Sequence, residues 1–283
     1  MLIFQIVLSI SSMVLQNCLL NKLCKTDLKN SDYVYRFNVL TYAVCILLFG
    51  ITALNGGLSW FTVCLALFFG IVTAFSNYYK MLSLSSGPMH ITLLITTSSM
   101  IIPTMSGIFF GESFSLPKLC AVCVLIFCIY LSLEKKGNSR INKRWGVFCS
   151  LAFIFQGSIG VIQKLHQSSV HKGETGSFLF VAFICSLLYS HFRAKTSFKE
   201  MNFNKKHLAF ALICGICTFG MNYLNLRLSG ILPSQLFFPL VNGSAIILSS
   251  ASSVILFKEK LSKKQLVGLC GGIASLIAIC LVG

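Results

Sequence analysis

The chain has 283 residues, of which 55% are hydrophobic and only 11% are charged, with a mean hydropathy of +0.82. Soluble domains carry roughly 25% charged residues, so a water-facing surface cannot be built from this composition. The formal charge is +16, from 23 Lys+Arg against 7 Asp+Glu. In a soluble chain that excess would suggest nucleic acid, but here the basic residues lie between apolar runs, as in loops at a membrane surface.

A membrane-spanning helix needs about 20 mostly apolar residues. Ten such runs are legible: 2–21, 34–54, 58–82, 88–110, 115–133, 145–167, 176–194, 207–228, 232–257 and 264–282. The first lacks a basic leader and a cleavage site, and reads as a retained span. Turn chemistry or charge separates the runs, for example Asn55-Gly56-Gly57, Gly87-Pro88, Glu134 to Arg144 and Lys258 to Lys264. The cysteine pairs Cys120/Cys123 and Cys214/Cys217 sit within apolar runs. They read as small packing residues rather than a redox or metal motif. Neither a cofactor nor a metal is expected.

The charges fall outside the spans in a biased way. All seven acidic residues (Asp27, Asp32, Glu112, Glu134, Glu174, Glu200 and Glu259) lie at span ends or in loops. No carboxylate stands at mid-span, where it would mark a proton or cation site. Most Lys and Arg residues flank the odd-numbered loops; Lys118, Lys164, Lys172 and Arg227 flank the even ones. By the positive-inside rule the odd loops are cytoplasmic and both termini lie outside.

The two halves can be laid over each other at an offset of about 145–147 residues. Asn77-Tyr78 matches Asn222-Tyr223, and Pro88 matches Pro233. Gln16 matches Gln163, and Gly111-Glu112-Ser113 falls on Lys258-Glu259-Lys260. Residues 1–134 and 145–283 would then each hold five spans. An odd number of spans forces the second half to enter the bilayer upside down, as an inverted repeat. The expected fold is an all-α integral membrane protein of ten transmembrane helices in two inverted five-helix repeats.

This pattern resembles the drug/metabolite transporter superfamily, in particular the EamA-like permeases. The likeness rests on Gly111-Glu112-Ser113-Phe114-Ser115 before span 5, on Phe257-Lys258-Glu259-Lys260-Leu261-Ser262 through Gln265 and Gly268 before span 10, and on Pro88 and Pro233 opening spans 4 and 9. The resemblance implies a multi-pass cell-membrane permease working in efflux, with spans 1–4 and 6–9 around a central cavity and spans 5 and 10 at the periphery. The chain departs from the family in two ways. Its charge bias puts the termini outside. Its first spans carry Gln16 and Gln163 where small multidrug relatives have a carboxylate, which weighs against proton-coupled export of cationic drugs. A translocase of lipid-linked intermediates is the other alternative. No acid, base or metal cluster gathers, so an enzyme is not expected.

Polar side chains within spans need a partner, a cavity or a ligand. Amides bring both donors and acceptors, which singles out Gln16, Asn17, Asn77, Gln163, Asn222, Gln235 and Asn242, with Gln156 beside them. Thr96 lies on the polar stripe of span 4, and His90 follows Pro88. Tyr78 and Tyr223 are candidate aromatic walls. Lys80, Lys164 and Arg227 lie just inside span ends and suit a carboxylate or phosphate. Serines and threonines on these faces also allow close helix packing. The expected partners are a small-molecule substrate and the lipid bilayer. An oligomer is compatible with the sequence but not implied by it.

Overall fold

The computed structural model describes residues 1–26, 31–54, 56–86, 92, 95–96, 98–112, 115–132, 143–195, 205–245, 247–249 and 263–281. These residues form helices and turns, with no strand among them. The helices are α1 (Leu2–Thr26), α2 (Ser31–Ala53), α3 (Trp60–Ser86) and α4 (Ile101–Ser106), the last tightening into a 3-10 turn at Gly107–Phe110. They continue as α5 (Leu116–Ser132), α6 (Lys143–Gln167), α7 (Thr175–Arg193), α8 (Lys205–Ile231), α9 (Ser234–Phe238) and α10 (Lys263–Leu281).

Among the described residues, six helices are long and apolar enough to cross a membrane: 2–20, 32–53, 60–86, 143–167, 172–193 and 205–231. Four further apolar helices are shorter, at Ile101–Phe110, Leu119–Leu131, Ser234–Ser249 and Leu266–Ile279. Large apolar side chains face outward along these helices. Leu47 is 72% exposed, Ile51 67%, Phe127 59% and Phe109 90%. An apolar exterior of this extent is unstable in water and is solvated by lipid. The protein is an all-helical membrane protein.

Local chemistry sets the helix ends. The Ser59 hydroxyl accepts from the backbone N–H of Thr62 at 3.2 Å, capping α3. The Glu174 carboxylate accepts from Ser59 N at 2.9 Å and Ser59 Oγ at 2.8 Å, tying the approach to α7 onto the start of α3. Pro239 follows α9 directly. Its ring would clash within a regular α-helix, and the chain widens there into a π-turn over Pro239–Gly243. Such turns often sit at functional positions. Gly111, at φ +74°, ends the 3-10 turn in the left-handed region and has nothing within 4 Å of a Cβ position. A GxxxG spacing such as Gly107/Gly111 commonly marks a packing face, but Gly111 meets no neighbour there. Gly107 packs against Ser234, and Gly111 is a cap.

The helices pair mainly across the halves. α2 lies on α7, α5 on α10 and α4 on α9. The pairing α3 on α6 is mirrored by α8 on α1, and α3 on α7 by α8 on α2. Individual contacts fix the directions. Arg36 Nη2 donates to Ala194 O at 3.3 Å at one end of α2, while Thr52 meets Gly176 at the other, so α2 and α7 are antiparallel. α3 and α7 are parallel, joined from Ser59/Glu174 to Phe75/Tyr189. The parallel pair α2 and α8 runs from Tyr33/His207 to Phe49/Phe219. An aromatic core of Tyr42, Phe49 and Phe183 fills the space where α2 meets α7.

Glycines allow close helix crossings, Gly70 and Gly215 among them. A Cβ on Gly70 would lie 2.3 Å from Ala182 O, and one on Gly215 would lie 2.6 Å from Val44 Cβ. Each backbone carbonyl there takes a side-chain donor: Ser186 Oγ to Gly70 O at 2.8 Å, and Cys45 Sγ to Gly215 O at 3.3 Å. Gly70→Ala is expected to lower stability by about 1–3 kcal/mol through overpacking. The readout is a lower melting temperature of the detergent-purified protein. Gly146→Ala, where a Cβ meets nothing within 4 Å, should leave the melt unchanged.

Candidate functional site

Amides converge on the middle of the bundle. Two adjoining lobes of about 70 Å³ each open between α1, α3, α4, α6, α8 and the π-turn after α9. Both lobes touch Met13, Asn77, Gln156, Met221 and Asn242. The first lobe adds Thr73, Gln163, Thr218, Asn222 and Asn225. The second adds Gln16, Asn17, Lys80 and Thr96. α2 and α7 do not reach these lobes, contrary to the expectation that spans 1–4 and 6–9 all surround the cavity. Their close crossings with α3 and α8 hold them one layer out.

Most cavity amides are held on one side and face the cavity with the other. Gln16 Nε2 donates to Thr218 Oγ1 at 2.8 Å. Lys80 Nζ donates to Asn17 Oδ1 at 3.2 Å. Asn77 Nδ2 donates to Tyr42 Oη at 2.8 Å, and Gln156 Oε1 accepts from Ser76 Oγ at 2.8 Å. Asn225 Oδ1 accepts from Ser9 Oγ at 2.5 Å. Asn222 and Asn242 donate only to carbonyls of their own helical turns, Thr218 O at 2.9 Å and Phe238 O at 3.0 Å. Thr96 donates to Thr92 O at 2.9 Å. No described carboxylate lines either lobe. The surface is rich in neutral donors and acceptors, carries one cationic side chain, and has Met and Phe238 as apolar walls. It suits a small polar solute that is neutral or anionic.

Several candidate residues lie elsewhere. Lys164 is not at the cavity. It forms a buried ion pair with Glu112 and donates to Ser229 O at 2.9 Å and Leu232 O at 3.4 Å. Glu112 also accepts from Ser234 Oγ at 3.1 Å and from the Ser234 backbone N–H at 2.7 Å, capping α9. Sequence proximity points Glu112 to Lys118 or to the cap of the next helix. The fold instead brings the ends of α4, α6 and α8 to the start of α9. Gln235 is also displaced from the cavity: its Oε1 accepts from Ser115 N at 3.1 Å, before the start of α5. Tyr78 stacks on Tyr35, with centroids 4.4 Å apart and planes 7° apart, away from both lobes. His90 lies outside the described residues.

Tyr223 and Arg227 line a separate vestibule of about 480 Å³, together with Lys172, Gln167 and the first turn of α7. The Arg227 guanidinium sits 5.8 Å from the Tyr223 ring centroid. This mouth is cationic, and such a field raises the local concentration of anions.

The sequence reading missed Thr73, Thr218 and Asn225. Thr73 and Thr218 stand at the same offset as Asn77 and Asn222, one helical turn before each. Asn225 lies three residues beyond Asn222. Periodicity within the repeat would have found all three.

No family model matches the chain, and no curated protein matches it. A solved structure described as "Crystal structure of protein" superposes on it with a TM-score of 0.74, covering 99% of both chains at 12% identity. At that identity the likeness is one of fold.

Proposed function

We propose that this chain is a secondary transporter that exports a small polar metabolite, of the amino-acid or organic-anion class, by alternating access. We further propose that it is an EamA-like permease of the drug/metabolite transporter superfamily, with ten spans in two inverted repeats. The observation that carries the reading is the amide-lined cavity at the centre of an otherwise apolar bundle. Buried amides in lipid are costly without partners, and here they converge on a space rather than on one another. Cross-half pairings that interchange when each helix is replaced by the one five positions later support the inverted repeat. So do the equivalent close crossings at Gly70 and Gly215.

Lobes of about 70 Å³ are well below the roughly 300–1,000 Å³ of ordinary small-molecule pockets. A solute therefore enters by relative movement of the halves, and the vestibule at Arg227 and Lys172 is one approach to it. Lys80 and the vestibule cations favour an anionic group on the solute.

The test is reconstitution. Proteoliposomes are assayed for uptake of labelled L-serine, L-glutamine, succinate, uridine and spermidine, with and without a pH gradient. Saturable uptake of serine, glutamine or succinate above empty liposomes is the expected result. Transport of spermidine alone, or of none of the five, would reject the reading.

A further inference from the structure

In each half, the first helix packs on the third helix of the other half: α1 on α8, and α6 on α3. Each interface carries a glutamine on the first helix and a threonine on the third. Gln16 faces Thr218, and Gln163 and Thr73 occupy the equivalent positions. The two pairs are not in the same state. Gln16 Nε2 donates to Thr218 Oγ1 at 2.8 Å. Thr73 Oγ1 is buried without a partner, on a residue only 4% exposed. Gln163, also 4% exposed, makes no side-chain hydrogen bond among the described residues. Both Thr73 and Gln163 line the central cavity.

A second polar contact is present at both interfaces. Ser9 Oγ reaches Asn225 Oδ1 at 2.5 Å between α1 and α8, and Ser76 Oγ reaches Gln156 Oε1 at 2.8 Å between α3 and α6. The α3–α6 interface is therefore joined at Ser76 and parted one turn away at Thr73. A buried hydroxyl without a partner is unfavourable, so its persistence in a cavity that a capable amide also lines needs a cause. The repeat supplies one. If two equivalent halves exchange conformations, a contact closed in one and open in the other exchanges with them.

We propose that the Gln16–Thr218 and Gln163–Thr73 pairs form alternately, one closed and one open in each of the two facing conformations. In the conformation described here Gln16–Thr218 is closed. In the other, Gln163 Nε2 donates to Thr73 Oγ1, and Gln16 and Thr218 part and face the cavity. The Ser9–Asn225 and Ser76–Gln156 contacts act as the pivots that persist in both. The two states then have the same number of satisfied groups, which keeps them close in free energy. This inference rests on the alternating-access reading and names the contacts that alternate.

Hydrogen–deuterium exchange of the purified protein, without substrate, tests it. Gln16→Leu removes the closed pair. Deuterium uptake should rise in peptides of α1 and α8 and fall, by at least about twofold in rate, in the α3 and α6 peptides that contain Thr73 and Gln163. Thr218→Val keeps the side-chain shape and should act in the same direction; it carries the test if Gln16→Leu does not fold. Unchanged or faster exchange in the α3 and α6 peptides of the folded variant overturns the proposal, because a merely structural contact would loosen only its own interface. Exchange is measured apart from transport, so this alternation can fail while uptake stands, and uptake can fail while the alternation is seen.

Discussion

Glu112→Ala is expected to destabilise the protein by about 3–5 kcal/mol, the largest loss of any single substitution considered for this chain. The carboxylate has two tasks. It neutralises Lys164, whose side chain is 9% exposed, and it accepts from both the backbone N–H and the hydroxyl of Ser234 at the start of α9. Removing it leaves an ammonium in a site where, among the described residues, the carbonyls of Ser229 and Leu232 remain to solvate it. The first turn of α9 also loses its cap, at a further cost of about 1 kcal/mol. Glu112→Ala should therefore show a much lower melting temperature in detergent and poor membrane yield. Glu112→Gln paired with Lys164→Met removes both charges and leaves a group able to accept from Ser234. That double variant should recover most of the lost stability, because a buried ion pair gains little over a neutral pair of similar shape. A melt for Glu112→Ala within one or two degrees of the parent would mean that the pair is solvated and does not join the helix ends.

Asn222→Ala and Asn242→Ala should act in the opposite sense, with a large effect on transport and a small one on stability. Each amide donates only to a carbonyl of its own helical turn. Truncation therefore removes no hydrogen bond between helices among the described residues. Each Oδ1 is left to the cavity, where a solute can donate to it. Losing one such hydrogen bond costs about 1–1.5 kcal/mol of binding, or roughly tenfold in affinity. Uptake of the solute identified in proteoliposomes should fall by about that factor, with the melting temperature nearly unchanged. Asn77→Ala differs, because Asn77 also donates to the buried Tyr42 hydroxyl; it should lower both. If Asn222→Ala and Asn242→Ala both transport normally, the cavity is not the solute path.

The six long helices were legible because a span is a property of consecutive residues. Twenty apolar positions in a row need nothing else to announce themselves. A break was legible for the same local reason, as at Gly56-Gly57. Gln16, Asn17, Asn77, Gln163, Asn222 and Asn242 were identifiable because an amide in lipid is anomalous wherever it points. Lys164 and Gln235 carried the same anomaly and proved to serve helix ends. Nothing in their neighbours along the chain distinguishes the two roles. Glu112 illustrates why. Its partners are Lys164 and Ser234, far away in sequence, while the lysine nearest to it along the chain, Lys118, was the natural guess.

What the sequence by itself determined is the solvent: a chain this apolar, with its few carboxylates kept out of the spans, can be covered only by lipid, and its polar side chains must turn inward. The tertiary structure alone decided which of them meet. The close approaches at Gly70 and Gly215 draw α3 onto α7 and α8 onto α2, which leaves α1, α3, α6 and α8, with α4 and the π-turn after α9, to enclose the amides. That choice depends on helix rotation and crossing distance, quantities set by packing between residues far apart in the chain rather than by any local run.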